Sequence, residues 1–402
     1  MKKHLLKAIA LSAMSVGLCG QAFGEGVYAP YVDMTAWPTP SLDEIGVQQG
    51  IQQFTMAFVL SGGNQCVPSW GGVQPIGRGQ TSDLLTSIAK SINNYRAKGG
   101  EVSISFGGQA GMPLMQACSS ASALAAAYQT VIDTYSLTHI DFDIEGAAQT
   151  DSAALTRNFR AVRQLQHTMR TNGKTLHVTL TLPVMPSGLT ADGLRVLNAA
   201  LDNGVTLDTV NIMAMDYGNG TTDMGAAAKR AATSVYAQLD AAYKAAGSPK
   251  TDAQLWQMIG VTPMIGKNDV QGETFSLADA KALLDKAHSD GIGMLSNWSI
   301  GRDKTCASNG GGASPSCSGV SQQPYAFTQV FRQLKGRWGT GVTQDPSYGG
   351  GSNGGKPAPG AQWSSSQIYT TGMTVKYHGV TYRAKWWTQG DVPGQSEVWA
   401  KV

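Results

Sequence analysis

The chain has 402 residues, 42% of them hydrophobic and 14% charged, with 30 Lys and Arg against 27 Asp and Glu. Its first 24 residues hold three of the lysines (Lys2, Lys3, Lys7) and none of the acids, so residues 25–402 carry 27 charges of each sign and a formal net charge of zero. A neutral chain without a Lys/Arg run offers no basic face, which excludes nucleic acid and an anionic membrane as partners and leaves a neutral polymer as the fitting one.

The chain opens on a basic start, then an apolar stretch from Leu5 to Leu18, then small residues at Ala22-Phe23-Gly24 before Glu25. That is the pattern of a signal peptide over residues 1–24, and it predicts a secreted protein. The apolar stretch is short for a membrane anchor, and Leu18 is a poor neighbour for lipidation at Cys19.

From residue 25 to 338, short β-rich apolar runs alternate with helical patterns. The predicted strands are Val27–Thr35, Gln53–Leu60, Glu101–Gly107, His139–Glu145, Leu176–Pro183, Thr209–Tyr217, Gln257–Met264 and Gly293–Ile300. Helical patterns between them include Leu84–Lys98, Ala121–Tyr135, Thr156–Thr171, Ala226–Ala246 and Leu277–Ser289. Eight strands each followed by a helix predict an α/β fold, a closed (β/α)8 TIM barrel. An open doubly wound sheet is the alternative, but no GxGxxG follows any strand. Residues 339–360 are rich in Gly, Ser, Asn and Pro and read as a flexible linker. Residues 361–402 form a second, small all-β unit dense in aromatics: Trp363, Tyr369, Tyr377, Tyr382, Trp386, Trp387 and Trp399. Aromatic burial must stabilise so small a unit, yet it has more tryptophan than its core needs.

Cys66, Cys118, Cys306 and Cys317 remain after the leader, none in a CxxC, and the five histidines that follow it never pair at ligand spacing. A zinc site is therefore not expected. Export favours disulfides, of which three pairings are possible. Cys306–Cys317 would close a Gly/Ser-rich loop, which leaves Cys66–Cys118.

The most informative run is Ile140-Asp141-Phe142-Asp143-Ile144-Glu145-Gly146. On a strand, Asp141, Asp143 and Glu145 share one face while Ile140, Phe142 and Ile144 take the other. Alternate residues lie roughly 6.5 to 7 Å apart, so crowded carboxyls resist joint ionisation and one can hold a proton near neutral pH. The run falls on the fourth strand, and Glu145 ends it at the carboxyl edge, where such barrels place their chemistry. A solvated acidic edge is the bland alternative. A calcium loop is not, because position 12 would be Ser152 and the apolar residues belong in a strand.

Here the residues resemble a known family. Asp141-Phe142-Asp143-Ile144-Glu145 is similar to the DxDxE signature of family 18 glycoside hydrolases, the chitinases and their relatives. Ser103-Ile104-Ser105-Phe106-Gly107-Gly108 resembles the family's SxGG motif, Met213-Ala214-Met215-Asp216-Tyr217 its Met-x-Tyr segment, and Trp298 the tryptophan ending the eighth strand. One position departs: the fuller pattern is DxxDxDxE, and Thr138 stands at its first acid, which removes a charge that helps to balance Asp141.

The resemblance implies a substrate-assisted reaction, the family's exception to the usual carboxylate pair. Glu145 would be the acid and base, Asp143 would orient the acetamide, Asp141 would tune Asp143, and Tyr217 would bind the acetamide oxygen. Trp298 would floor the sugar site, with Met215 and Asp216 as further substrate contacts and Tyr31 a weaker candidate. Ser105, Gly107 and Gly108 read as structural, and His139 as a core histidine. No cofactor or metal is implied.

The carboxyl-terminal unit resembles carbohydrate-binding modules of families 5 and 12, through Trp363, Val375-Lys376-Tyr377-His378-Gly379, Tyr382-Arg383-Ala384-Lys385-Trp386-Trp387-Thr388, Pro393 and Trp399. That likeness implies a sugar-stacking platform at Trp386 and Trp387, with Trp363, Tyr382 and Trp399 in the core. The expectation is a monomeric chitinase acting on chitin and chito-oligosaccharides, tethered to insoluble substrate. An inactive chitin-binding lectin, or an endo-β-N-acetylglucosaminidase acting on glycoprotein glycans, remains as an alternative.

Overall fold

A computed structural model describes residues 25–77, 79–307, 312–338, 361–365, 368–369, 372–385 and 388–402. The predicted leader (1–24), the linker (339–360), Trp386 and Trp387 lie outside the described residues.

Eight parallel strands close on themselves. They are β1 (Val27–Tyr28 and Tyr31–Asp33, broken at Ala29-Pro30), β2 (Gln53–Ser61), β3 (Glu101–Gly107), β4 (His139–Asp143), β5 (His177–Pro183), β6 (Thr209–Met213), β7 (Ile259–Thr262) and β8 (Met294–Leu295). Each pairs with the next, and the first half of β1 pairs with β8 while its second half pairs with β2, which completes the ring. A helix follows every strand: α1 (Leu42–Gln49), α2 (Asp83–Ala97), α3 (Ala121–Tyr135), α4 (Ser152–Thr171), α5 (Ala191–Asp202), α6 (Met224–Ala245), α7 (Leu277–Asp290) and α8 (Ala326–Phe331). The architecture is the (β/α)8 barrel that the strand count predicts.

The alternation in the acidic run does what strand geometry requires. Ile140 and Phe142 face the helices, where Phe142 packs on Phe106 (5.6 Å) and Tyr128 (5.2 Å). Asp141 and Asp143 point into the barrel. Helix starts are locally encoded: Ser82, Ser120, Asp151, Thr190, Asp223 and Ser276 each accept a backbone N–H of the first turn. The capping Asp151 starts α4 four residues before the periodicity predicts.

Five strands (β1, β4, β6, β7 and β8) end earlier than expected, and three of them carry candidate site residues. β4 stops at Asp143, β6 at Met213 and β8 at Leu295, so Glu145 and Tyr217 sit in the connections beyond the ladder, while Trp298 keeps an isolated parallel bridge to Met264. For β4 and β6 the physical reason is the turn chemistry that follows. Gly146 (φ 53°), Asp216 (φ 49°) and Gly218 (φ 66°) adopt left-handed backbone, which no ladder continues.

The disulfides are Cys66–Cys118 and Cys306–Cys317, the pairing favoured by the loop argument. In the carboxyl-terminal unit a four-stranded sheet, β9 (Ala361–Gln362), β10 (Thr374–Tyr377), β11 (Val380–Ala384) and β12 (Trp399–Lys401), pairs in that order. Tyr369, Val375, Ala384, Val398 and Trp399 form its core, with Trp363 and Tyr382 packed against them.

Candidate active site

At the carboxyl ends of the strands lies a cleft of about 350 Å³, lined among others by Tyr31, Phe58, Asp143, Glu145, Met215, Asp216, Asp269 and Trp298. Asp141, one turn of the ladder deeper, is 1% exposed. Three hydroxyls donate to it: Tyr31 (2.8 Å) and Ser105 (2.6 Å) to Oδ2, and Thr181 (2.6 Å) to Oδ1. Burial pushes its pKa up to about 6, and those hydroxyls hold it from rising further. Thr138 bonds the His139 ring instead (3.0 Å). The hydroxyl partners of Asp141 thus come from β1, β3 and β5, and Thr138 is not one of them.

Ser105 corrects the expectation that it is merely structural, since it is a direct partner of Asp141. Gly107 and Gly108 do act through close approach. A Cβ on Gly107 would collide with the Asp143 carbonyl, and the Gly108 N–H donates to that same oxygen (3.0 Å).

Asp143 is buried, and the Glu145 carboxyl lies close enough to act on its ionisation. Burial first, then the charges of Glu145 and Asp141, carry Asp143 well above the ordinary carboxylate range. Glu145 is raised too, by burial and then by the Asp216 charge, while the Asp143 carboxyl pulls the other way. Both carboxyls are thus shifted upward, and the more buried Asp143 the more strongly. Glu145 owes its position to its neighbours: the Ile144 N–H donates to Thr181 of β5 (3.1 Å), and Gln149 donates to the Ile144 carbonyl (3.1 Å).

Trp298 is half-buried at the cleft floor, stacked on Phe58 (5.5 Å, 22°) and edge-on to Tyr31 (6.1 Å). Met215 and Asp216 line the wall. Tyr217 is buried, and its hydroxyl has no hydrogen-bond partner among the described residues. Burial and then the Glu273 charge raise its pKa, which keeps the phenol a donor. His139 lies outside this cleft, stacked between His177 (4.3 Å) and Trp338 (4.7 Å), as a core histidine should.

The structure thus brings Asp143, Glu145, Met215, Asp216 and Trp298 into the lining of one cleft, with Asp141 deeper, whereas Tyr217, next to Asp216, is buried and not among the lining residues. Sequence reasoning missed Thr181, Asn268 and Glu273. Nothing in their local sequence marks them, because each acquires its role only by meeting residues 40 to 56 positions away.

Fold and cleft together define a barrel enzyme of the glycoside hydrolase type. Residues 31–309 match the model of glycosyl hydrolases family 18, and residues 362–400 match carbohydrate-binding module family 5/12. The chain belongs to family 18 of the glycosyl hydrolases. Active domain 2 of the thermostable chitinase from Pyrococcus furiosus, solved as catalytic-site mutants with chito-oligosaccharides, aligns with TM-score 0.68 at 34% identity, over 78% of this chain and 95% of that one. A probable bifunctional chitinase/lysozyme of Escherichia coli (strain K12) is 37% identical over 79% of this chain, and endochitinase 11 of Metarhizium anisopliae is 36% identical over 73%. This chain spans 35% and 55% of those two proteins.

Proposed function

We propose that the protein is a secreted chitinase that cleaves β-1,4 linkages between N-acetylglucosamine units with retention at the anomeric carbon. The carrying observation is the pairing of buried Asp143 with half-buried Glu145, both raised above the ordinary carboxylate range, in a cleft that Trp298 lines; in this reading the pair shares one proton. When an acetamide occupies Asp143, the shared proton passes to Glu145. Glu145 gives it to the glycosidic oxygen as the C–O bond breaks and the electron pair leaves with that oxygen. The acetamide oxygen closes on the anomeric carbon, and Asp143 stabilises the positive charge that develops on the ring so formed. The Tyr217 hydroxyl, otherwise unpartnered, directs the acetamide oxygen. Glu145 then takes a proton from water, whose oxygen attacks the same carbon and reopens the ring.

Residues 361–402 would hold the enzyme on insoluble polymer through a linker over 339–360, and residues 1–24 would direct export. Wild-type protein should release oligosaccharides from colloidal chitin, and resolved anomers from chitohexaose should be β at first appearance. Glu145→Gln should lower kcat by about 10² to 10⁴-fold. Undiminished hydrolysis by that variant, or an α product, defeats the proposal.

A further inference from the structure

The loop that carries Asp216 and Tyr217 is not held by its own strand. β6 ends at Met213, and the chain then turns through Asp216 (φ 49°) and Gly218 (φ 66°). A left-handed Asp persists only where its surroundings fix it. Those surroundings come from one place, the connection after β7. Asn268 Oδ1 accepts the Asp216 N–H (3.2 Å), and Asp216 Oδ1 accepts the Val270 N–H (2.9 Å). Glu273, 3% exposed, takes the next two amides together: Tyr217 N–H donates to Oε2 (3.0 Å) and Gly218 N–H to Oε1 (2.9 Å).

Glu273 is itself braced. It leads into Thr274–Phe275, which pairs antiparallel with Gly266–Lys267. Buried Arg302 donates to the carbonyls of Ile265 (3.0 Å) and Lys267 (2.6 Å), and the Lys267 N–H donates to Ser318, next to the Cys306–Cys317 bridge (2.8 Å). The clamp therefore hangs on a braced hairpin, whereas the Tyr217 hydroxyl has no hydrogen-bond partner among the described residues. Packing and backbone alone aim that phenol, and two charge-assisted bonds to one carboxylate fix the backbone.

We propose that Glu273 is a positioning residue for hydrolysis, acting through the Tyr217–Gly218 backbone to fix where the buried Tyr217 hydroxyl lies. This rests on the reading of Tyr217 as the acetamide partner. A displacement of about 1 Å at such a group costs about 100-fold. Glu273→Gln keeps the shape but turns an NH2 toward one of the two amides. It should lower kcat on chitotetraose by roughly 10- to 100-fold with KM little changed.

The deciding measurement is a double-mutant cycle with Tyr217→Phe. If Glu273 works through the phenol, the double variant is no slower than the slower single variant. Additive losses, or a kcat for Glu273→Gln equal to wild type, overturn the proposal. Should Glu273→Gln not fold, Glu273→Asp, which keeps the charge on a shorter arm, takes its place in the same cycle. Hydrogen exchange gives a readout independent of turnover: the Tyr217 and Gly218 amides should exchange at least about 10-fold faster in the variant, and unchanged exchange overturns the clamp. A wild type that releases no product defeats the functional reading instead, and an active wild type with an unaffected variant defeats this inference alone.

Discussion

Replacing Asp141 by Asn removes a buried charge while keeping the shape that three hydroxyls surround. The folded protein raises the Asp141 pKa from 3.8 to about 6 because burial penalises the carboxylate. Folding therefore favours the protonated form. The resulting stabilisation is fully present below the unfolded value near 4, and it is lost as pH rises through 6. A shift of about two units is worth about 3 kcal/mol, of which about 2 to 3 kcal/mol falls between pH 4 and pH 7.5. The Asp143 shift has the same sign and shrinks when the Asp141 charge is removed, so it adds to the effect. One hydroxyl partner must turn away from the new amide, but that cost does not depend on pH.

The stability of Asp141→Asn relative to wild type should thus improve by about 2 to 3 kcal/mol from pH 4 to pH 7.5. For a barrel of this size that is about 3 to 5 °C in Tm, at roughly 2.1 cal/mol/K per residue. Calorimetry of the barrel transition at the two pH values measures it. A difference between the two proteins that is the same at both pH values would falsify the argument that burial outweighs the three hydroxyls.

Other perturbations test separate parts of the molecule. Cys66–Cys118 closes 52 residues and Cys306–Cys317 closes 11, so chain entropy assigns them about 4 and 3 kcal/mol. Replacing Cys66 and Cys118 by Ser should accordingly lower the urea midpoint more than replacing Cys306 and Cys317. Trp298→Ala removes the ring stacked on Phe58 and should reduce kcat/KM on chito-oligosaccharides by roughly 10- to 100-fold, read from initial rates. Deleting residues 361–402 should slow hydrolysis of insoluble chitin while leaving soluble oligomers nearly unaffected, and equal losses on both would remove the anchoring role.

The acidic run was legible because a strand has a period of two. Asp141 and Asp143 had to share a face, and the eightfold alternation of strand and helix meant that this face was enclosed. Tyr217 and Trp298 were found through motif order, but the position of Tyr217 past its strand end was not, since left-handed turns at Asp216 and Gly218 end the strand before the predicted run does. Ser105 was read as scaffold because a small hydroxyl residue on a strand carries no local mark of its partner. Of the three pairings open to the four cysteines, the one favoured because Cys306–Cys317 closes a Gly/Ser-rich loop is the one formed.

By itself, then, the sequence determined the periodic elements, the face on which the carboxyls lie and the family to which their spacing belongs, because these follow from short-range backbone geometry. Tertiary structure alone decided how the carboxyls ionise and what aims the groups around them. Asp141 meets Tyr31 and Thr181 across 110 and 40 residues, and Tyr217 meets Glu273 across 56. Desolvation and two-point hydrogen bonding act between such distant residues only once the barrel has closed.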